Sequence, residues 1–166
     1  MIRPASSDML LVVDVQNDFC PGGALAVGDG HHVVPLANRL MARFHRAVAT
    51  QDWHTPEHAS FAIAHPGRHP FETIEVAYGP QTLWPVHCVQ GTQGAEFHPD
   101  LDLTKVELVV RKGFDPQIDS YSAFFENDRM TPTGLGGYLR ERGTRRLFLA
   151  GLATDYCVAY SAHDAI

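Results

Sequence analysis

The sequence predicts an α/β protein built on a central parallel sheet, and three observations predict it. Short apolar runs recur along the chain, a segment of helical period joins the first two, and chemically competent polar side chains fall just past the ends of the runs.

Met9 to Val15, Ala47 to Asp52, Val106 to Arg111 and Arg146 to Leu152 are continuous rather than alternating apolar runs, the pattern of strands covered on both faces. Between the first two, Val33, Leu36, Ala37, Leu40, Met41 and Phe44 recur at the spacing of one helical stripe. Strand, helix and strand make a βαβ unit. From Thr55 to about Lys105 the chain is rich in Pro, Gly and His and weakly periodic, which predicts a long loop with at most one short helix. Loops of that length in a compact domain are usually functional. A second helix is expected over roughly Thr133 to Arg142, weakened by Gly134, Gly136 and Gly137. Thr154 reads as the N-cap of a last helix from Asp155 to the end of the chain. A parallel sheet would normally gain another strand after that helix, so the expectation is a single domain over residues 1–166, shortened at its C-terminal end.

Of the 166 residues, 45% are hydrophobic and 19% charged, an ordinary composition for one core. A formal net charge of −6 and the lack of any Lys/Arg run exclude the electrostatic footprint of a binder of nucleic acid or anionic membrane. The run MLLVV at 9–13 is too short for a signal-peptide core, is cut by Asp14, and no stretch is long enough to span a bilayer. These features predict a cytoplasmic protein with a small-molecule partner; a homo-oligomer is compatible with them. Cys20, Cys88 and Cys157 are an odd number of scattered thiols, which argues against a disulfide framework.

The polar residues are the informative part. Asp14 closes the first run, Asp52 and His54 the second, Lys112 the third, and Cys157 lies just past the fourth, so all map to carboxyl ends of strands, where open parallel sheets hold their ligands. Taken singly, each has a bland explanation: a turn-forming Asp, a solvated Lys, a small buried Cys. Together they suggest a nucleophile with its base. Cys157 is expected in the first turn of a helix, where free amides and the helix dipole favour a thiolate and could hold an oxyanion. Asp14 can accept the thiol proton and Lys112 can stabilise both anions. Asp52 and His54, two apart at a strand end, have chelating spacing, and His87 in WPVHC could complete a site that accepts one divalent transition metal, Zn, Fe or Mn. His58 is a fourth candidate ligand, left open.

These segments, DVQNDF, QDWHTPEHASF, WPVHCVQGTQG, RKGFDPQIDSYSAF and GLATDYCV, follow one another in an order that resembles the nicotinamidases of the isochorismatase-like hydrolase family. The resemblance implies a three-layer αβα fold with a central parallel sheet. It implies that Asp14, Lys112 and Cys157 are catalytic and that Asp52, His54 and His87 bind the metal. It also implies a cis peptide before Ala153, an oxyanion hole from the Ala153 and Cys157 amides, and a pyridine ring held by Phe19, Trp84 and Tyr121 with its nitrogen toward the metal. The activity implied is hydrolysis of nicotinamide to nicotinate and ammonia through a thioester, with pyrazinamide as a side substrate. The alternatives are another small amide or a vinyl ether as substrate, or a module that binds without catalysis. Relatives of this kind continue past SAHDA through a further strand and helix.

Overall fold

The structure is a computed structural model and describes residues 3–166. Four strands, β1 (Asp8–Val13), β2 (Ala47–Asp52), β5 (Val106–Lys112) and β6 (Arg146–Gly151), form one parallel sheet in the order β5-β2-β1-β6. The first two strands enter at its centre because every residue of each is buried. Side chains alternate across the sheet: Met9, Leu11, Val13 and Val48 pack on one face with Leu135 and Leu139 of α2 (Leu135–Glu141). Leu10, Val12, Ala47 and Ala49 pack on the other with Val34, Ala37 and Met41 of α1 (Val33–Arg43). These are the three layers the sequence implied.

The differences in extent have local causes. β1 stops at Val13 because Asp14 turns into the left-handed region with φ 47°, which breaks the ladder where the site begins. β5 instead runs one residue further, so that Lys112 pairs in register with Asp52. Helix α2 starts only at Leu135, after Gly134 at φ 94°.

Two expectations are corrected. The stretch from Thr55 to Lys105 is more than loop: β3 (Thr73–Val76) and β4 (Gly79–Thr82) form an antiparallel hairpin separate from the main sheet, in the same stretch as short 3-10 turns at Ala62–Ala64 and Gln93–Ala95. The hairpin gives a weak apolar signal because most of its side chains are not buried. The last helix is divided: Thr154–Val158 forms a π turn before α3 (Ala159–Asp164), and Ala153, with no side-chain cap, stands where Thr154 was expected to cap. No helix among the described residues is long and apolar enough to cross a membrane.

Candidate active site

Three strand ends deliver the central cluster. Lys112, fully buried at the end of β5, reaches Asp14 Oδ2 at 2.8 Å, donates to the Ser120 carbonyl at 3.0 Å, and approaches Cys157 Sγ at 3.4 Å. It also makes a short contact with Asp52 Oδ1. The Thr50 hydroxyl, on the neighbouring strand, donates to Asp14 Oδ1 at 2.6 Å and accepts from the Asp14 amide at 3.2 Å. Side-chain atoms of Asp14, Asp52 and Cys157 all lie within 4.8 Å of one another.

An ammonium group taken wholly out of water persists only if anions surround it. Burial disfavours the Lys112 charge, but Asp14 and Asp52 outweigh burial and hold the ammonium well above its ordinary range. For Asp52, burial opposes ionisation, yet Lys112, His54 and His87 together pull its carboxyl below the usual carboxylate range. Asp14 ends on the other side of the balance: burial raises it, against the pull of Lys112.

At Cys157 the surroundings work against the thiolate that the sequence suggests. Burial raises the thiol well above its ordinary value, Lys112 lowers it, and the nearby carboxylates of Asp14 and Asp52 raise it again. The residue lies within a short π turn rather than in the first turn of a long helix, so dipole assistance is small while desolvation is full. Burial and the two carboxylates therefore oppose ionisation of Cys157, and Lys112 favours it. All three cysteines are free and buried.

The opposite oxygen of Asp52 faces the histidines. His54 Nε2 and His87 Nε2 lie 3.7 and 3.8 Å from Asp52 Oδ2, and all three residues are buried. His54 Nδ1 meets the Gly113 carbonyl at 2.8 Å and His87 Nδ1 the Pro85 carbonyl at 2.8 Å. A carbonyl can only accept, so each Nδ1 carries a proton, which leaves Nε2, the nitrogen facing Asp52, as the one available to a metal. Gly113 sits at φ 63°, and a β-carbon there would strike the His54 ring, which accounts for glycine directly after Lys112. Two imidazole nitrogens and a carboxylate converging in this way fit a divalent transition metal. His58 stands apart from that trio: its Nδ1 accepts from the Ser60 amide at 3.2 Å, and it groups with His54 and Asp119.

A cavity of about 160 Å³ opens between the two sets of groups. Asp52, His87, Ala153 and Cys157 line its polar end, and Phe19, Trp84 and Tyr121 its aromatic walls. Trp84 Nε1 donates to the Tyr121 hydroxyl at 3.2 Å. The Leu152–Ala153 peptide is cis.

Several residues here escaped the sequence reading. Tyr156 also lines the cavity, its ring centroid 4.9 Å from that of Trp84; its position just before Cys157 was the available signal. Gln16 clamps the Asp52 backbone on both sides, donating to its carbonyl at 2.9 Å and accepting from its amide at 2.8 Å. Asp18 accepts from the Cys88 amide at 2.7 Å and so fixes the loop next to His87. Both belong to DVQNDF, whose polar density was the visible clue. Asp119 lines the cavity too, with no spacing signal to mark it.

The fold and this site place the chain among α/β proteins that gather buried charge and a thiol at the carboxyl edge of a parallel sheet. The chain belongs to the isochorismatase family, whose domain model matches residues 8–166. It is 56% identical over 164 residues to a nicotinamidase of Acinetobacter baylyi, covering 99% of this chain and 77% of that one. A solved nicotinamidase/pyrazinamidase of Acinetobacter baumannii superposes with a TM-score of 0.96 at 56% identity, over 97% of this chain and 78% of that one. The yeast nicotinamidase bound to the inhibitor nicotinaldehyde gives 0.89 at 33% identity, over 95% and 81%. A Pyrococcus horikoshii pyrazinamidase in complex with zinc gives 0.75 at 36%, over 96% and 78%.

Proposed function

We propose that this protein hydrolyses nicotinamide to nicotinate and ammonia, with pyrazinamide as a second substrate. The observation that carries the reading is Lys112, buried behind an aromatic-walled cavity, where it touches Asp14, Asp52 and the Cys157 sulfur, the last two of which line that cavity. The high identity to curated nicotinamidases supports it.

The raised thiol and the raised Asp14 carboxyl suit each other. Proton transfer from Sγ to Asp14 moves one negative charge from carboxylate to sulfur, and both positions adjoin Lys112, so the ammonium stabilises either arrangement. The proton never has to reach solvent. The thiolate then attacks the carboxamide carbon, and the Ala153 and Cys157 amides take up the developing oxyanion. Asp14 returns the proton to the departing nitrogen, releasing ammonia and leaving a thioester on Cys157. Asp14 next takes a proton from a water molecule, whose oxygen attacks the thioester carbon; the carbon–sulfur bond breaks, Asp14 returns the proton to sulfur, and the acid leaves and ionises to nicotinate by giving its remaining proton to solvent.

Phe19, Trp84 and Tyr121, which line the cavity, hold the flat ring. Asp52, His54 and His87 would bind one divalent ion, which when bound supplies a Lewis-acidic anchor for the ring nitrogen. The reading is tested by ammonia release from nicotinamide by the purified chain, with and without a chelator. Steady release that the chelator diminishes is expected; no release from nicotinamide by metal-loaded protein would overturn it.

A further inference from the structure

The β3–β4 hairpin lies outside the main sheet, and most of its side chains are partly or fully exposed. Gln81 is the exception, 1% exposed. Its amide nitrogen donates to the Thr82 carbonyl at 2.7 Å and to Asp119 Oδ2 at 2.8 Å, and shares a hydrogen with the Tyr121 hydroxyl at 3.0 Å. Its amide oxygen accepts from the Tyr78 hydroxyl at 2.9 Å and from Asn127 Nδ2 at 3.4 Å. The Thr82 carbonyl and the Asp119 carboxylate can only accept, so the orientation of the amide is set.

Two of these partners are walls of the cavity. The Tyr121 hydroxyl receives both Gln81 Nε2 and Trp84 Nε1, so the angle between the two aromatic side chains depends on a contact from the hairpin. Asp119 Oδ1 accepts from the Ser120 amide at 2.8 Å, and the Ser120 carbonyl is a ligand of Lys112. Asn127 Oδ1 accepts from the Tyr121 amide at 3.0 Å, which fixes the same segment from behind. A hairpin serving only as cover would bury an apolar side chain at this place. A fully satisfied amide hub costs more to assemble and tolerates one arrangement of its partners.

We propose that Gln81 is a positioning residue that sets the spacing of the aromatic slot and thereby the affinity for flat ring amides. The proposal rests on the functional reading above. Gln81 touches neither the thiol nor its base, so its effect falls on KM, while kcat stays with Cys157, Asp14 and Lys112.

Gln81→Met keeps length and removes every hydrogen bond of the amide. KM for nicotinamide should rise about tenfold, the loss expected for one or two buried hydrogen bonds. The kcat value and the rate of Cys157 alkylation should stay within about threefold. Tyr121→Phe keeps the ring and removes the hydroxyl, and should raise KM similarly; because both act through one contact, the double variant should be little worse than either single one. A purely structural role would lower the active fraction and the melting temperature while leaving KM alone. Unchanged KM in Gln81→Met, or effects of the two substitutions that multiply, overturns the inference. Should Gln81→Met fail to fold, Tyr121→Phe decides: a raised KM supports the shared contact and an unchanged KM overturns it. A native chain that releases no ammonia from nicotinamide refutes the functional reading, whereas a native chain that does, with KM unmoved by Gln81→Met, refutes only this inference.

Discussion

The two oxygens of Asp52 face regions held together by different means. On the Oδ2 side, His54 and His87 are fixed by backbone carbonyls, those of Gly113 and Pro85, so each ring keeps its place independently of the other. On the Oδ1 side, Asp14, Lys112 and Cys157 come from three strand ends, and a single buried ammonium holds them. The first region is a frame and the second is a charge balance. A frame tolerates loss of one member, whereas a buried charge balance does not, because the remaining charges lose their compensation.

The largest expected effect lies on the thiol side. Cys157→Ala should lower turnover of nicotinamide at least about a thousandfold, with the dissociation constant for nicotinamide held within about threefold because ring and metal contacts remain. Steady-state kinetics with equilibrium binding checks this, and turnover near that of the native chain would end the covalent mechanism.

Lys112→Met tests the balance itself. Two buried carboxylates would face each other without the cation, and the expected cost is about 3–5 kcal/mol of stability together with a fall in kcat of at least about a hundredfold. Denaturant unfolding measures the first part. A loss of stability below about 1 kcal/mol would show that charge does not hold this region.

His54→Ala combined with His87→Ala should abolish metal binding, read by elemental analysis, yet leave the alkylation rate of Cys157 within about fivefold, since Asp14 and Lys112 set the thiol. Loss of both properties together would make the two regions one unit. In the native chain, benzamide matches nicotinamide in shape but has no ring nitrogen. Its kcat/KM should be lower by about ten- to a hundredfold, because the anchor that aligns the carbonyl over Cys157 is missing. Equal values would remove the metal from substrate recognition.

The smallest effect concerns a carboxyl in neither region. Glu126 is buried with Oε2 lacking a hydrogen-bond partner, and burial pushes its carboxyl up to about 7 from an ordinary 4.5. Between those values the folded chain binds more protons than the unfolded one, so stability is full below about 4.5 and falls as pH rises through about 7. Glu126→Gln should therefore gain on the order of 1–2 kcal/mol at pH 8 and nothing at pH 4. Thermal melts at the two pH values measure the difference, and an equal gain at both would remove burial of the charge as its cause.

Much of this is legible in the sequence. The uninterrupted run MLLVV could be satisfied only by a strand covered on both faces, and the stripe from Val33 to Phe44 only by a helix packed on one side. Strand ends are local features, so Asp14, Asp52, Lys112 and Cys157 could be assigned to one edge of the sheet from spacing, and the structure brings their side chains together there. The hairpin was less visible. Its solvent-facing residues carry little hydrophobic period, and the buried Gln81 reads in sequence as an ordinary polar residue.

The sequence by itself determined which residue types stand at the strand ends, since hydrophobic periodicity and turn chemistry act over a few neighbouring residues. Only the tertiary structure decided what state those groups take. The Cys157 thiol looked like a thiolate from its place after a turn, but its protonation depends on desolvation by the whole core and on charges contributed from other strands. The same holds for Asp52, whose two oxygens serve two different regions, and for Gln81, whose partners Asp119, Tyr121 and Asn127 lie far along the chain. Burial and through-space charge are properties of an assembled interior, and no window along the chain contains them.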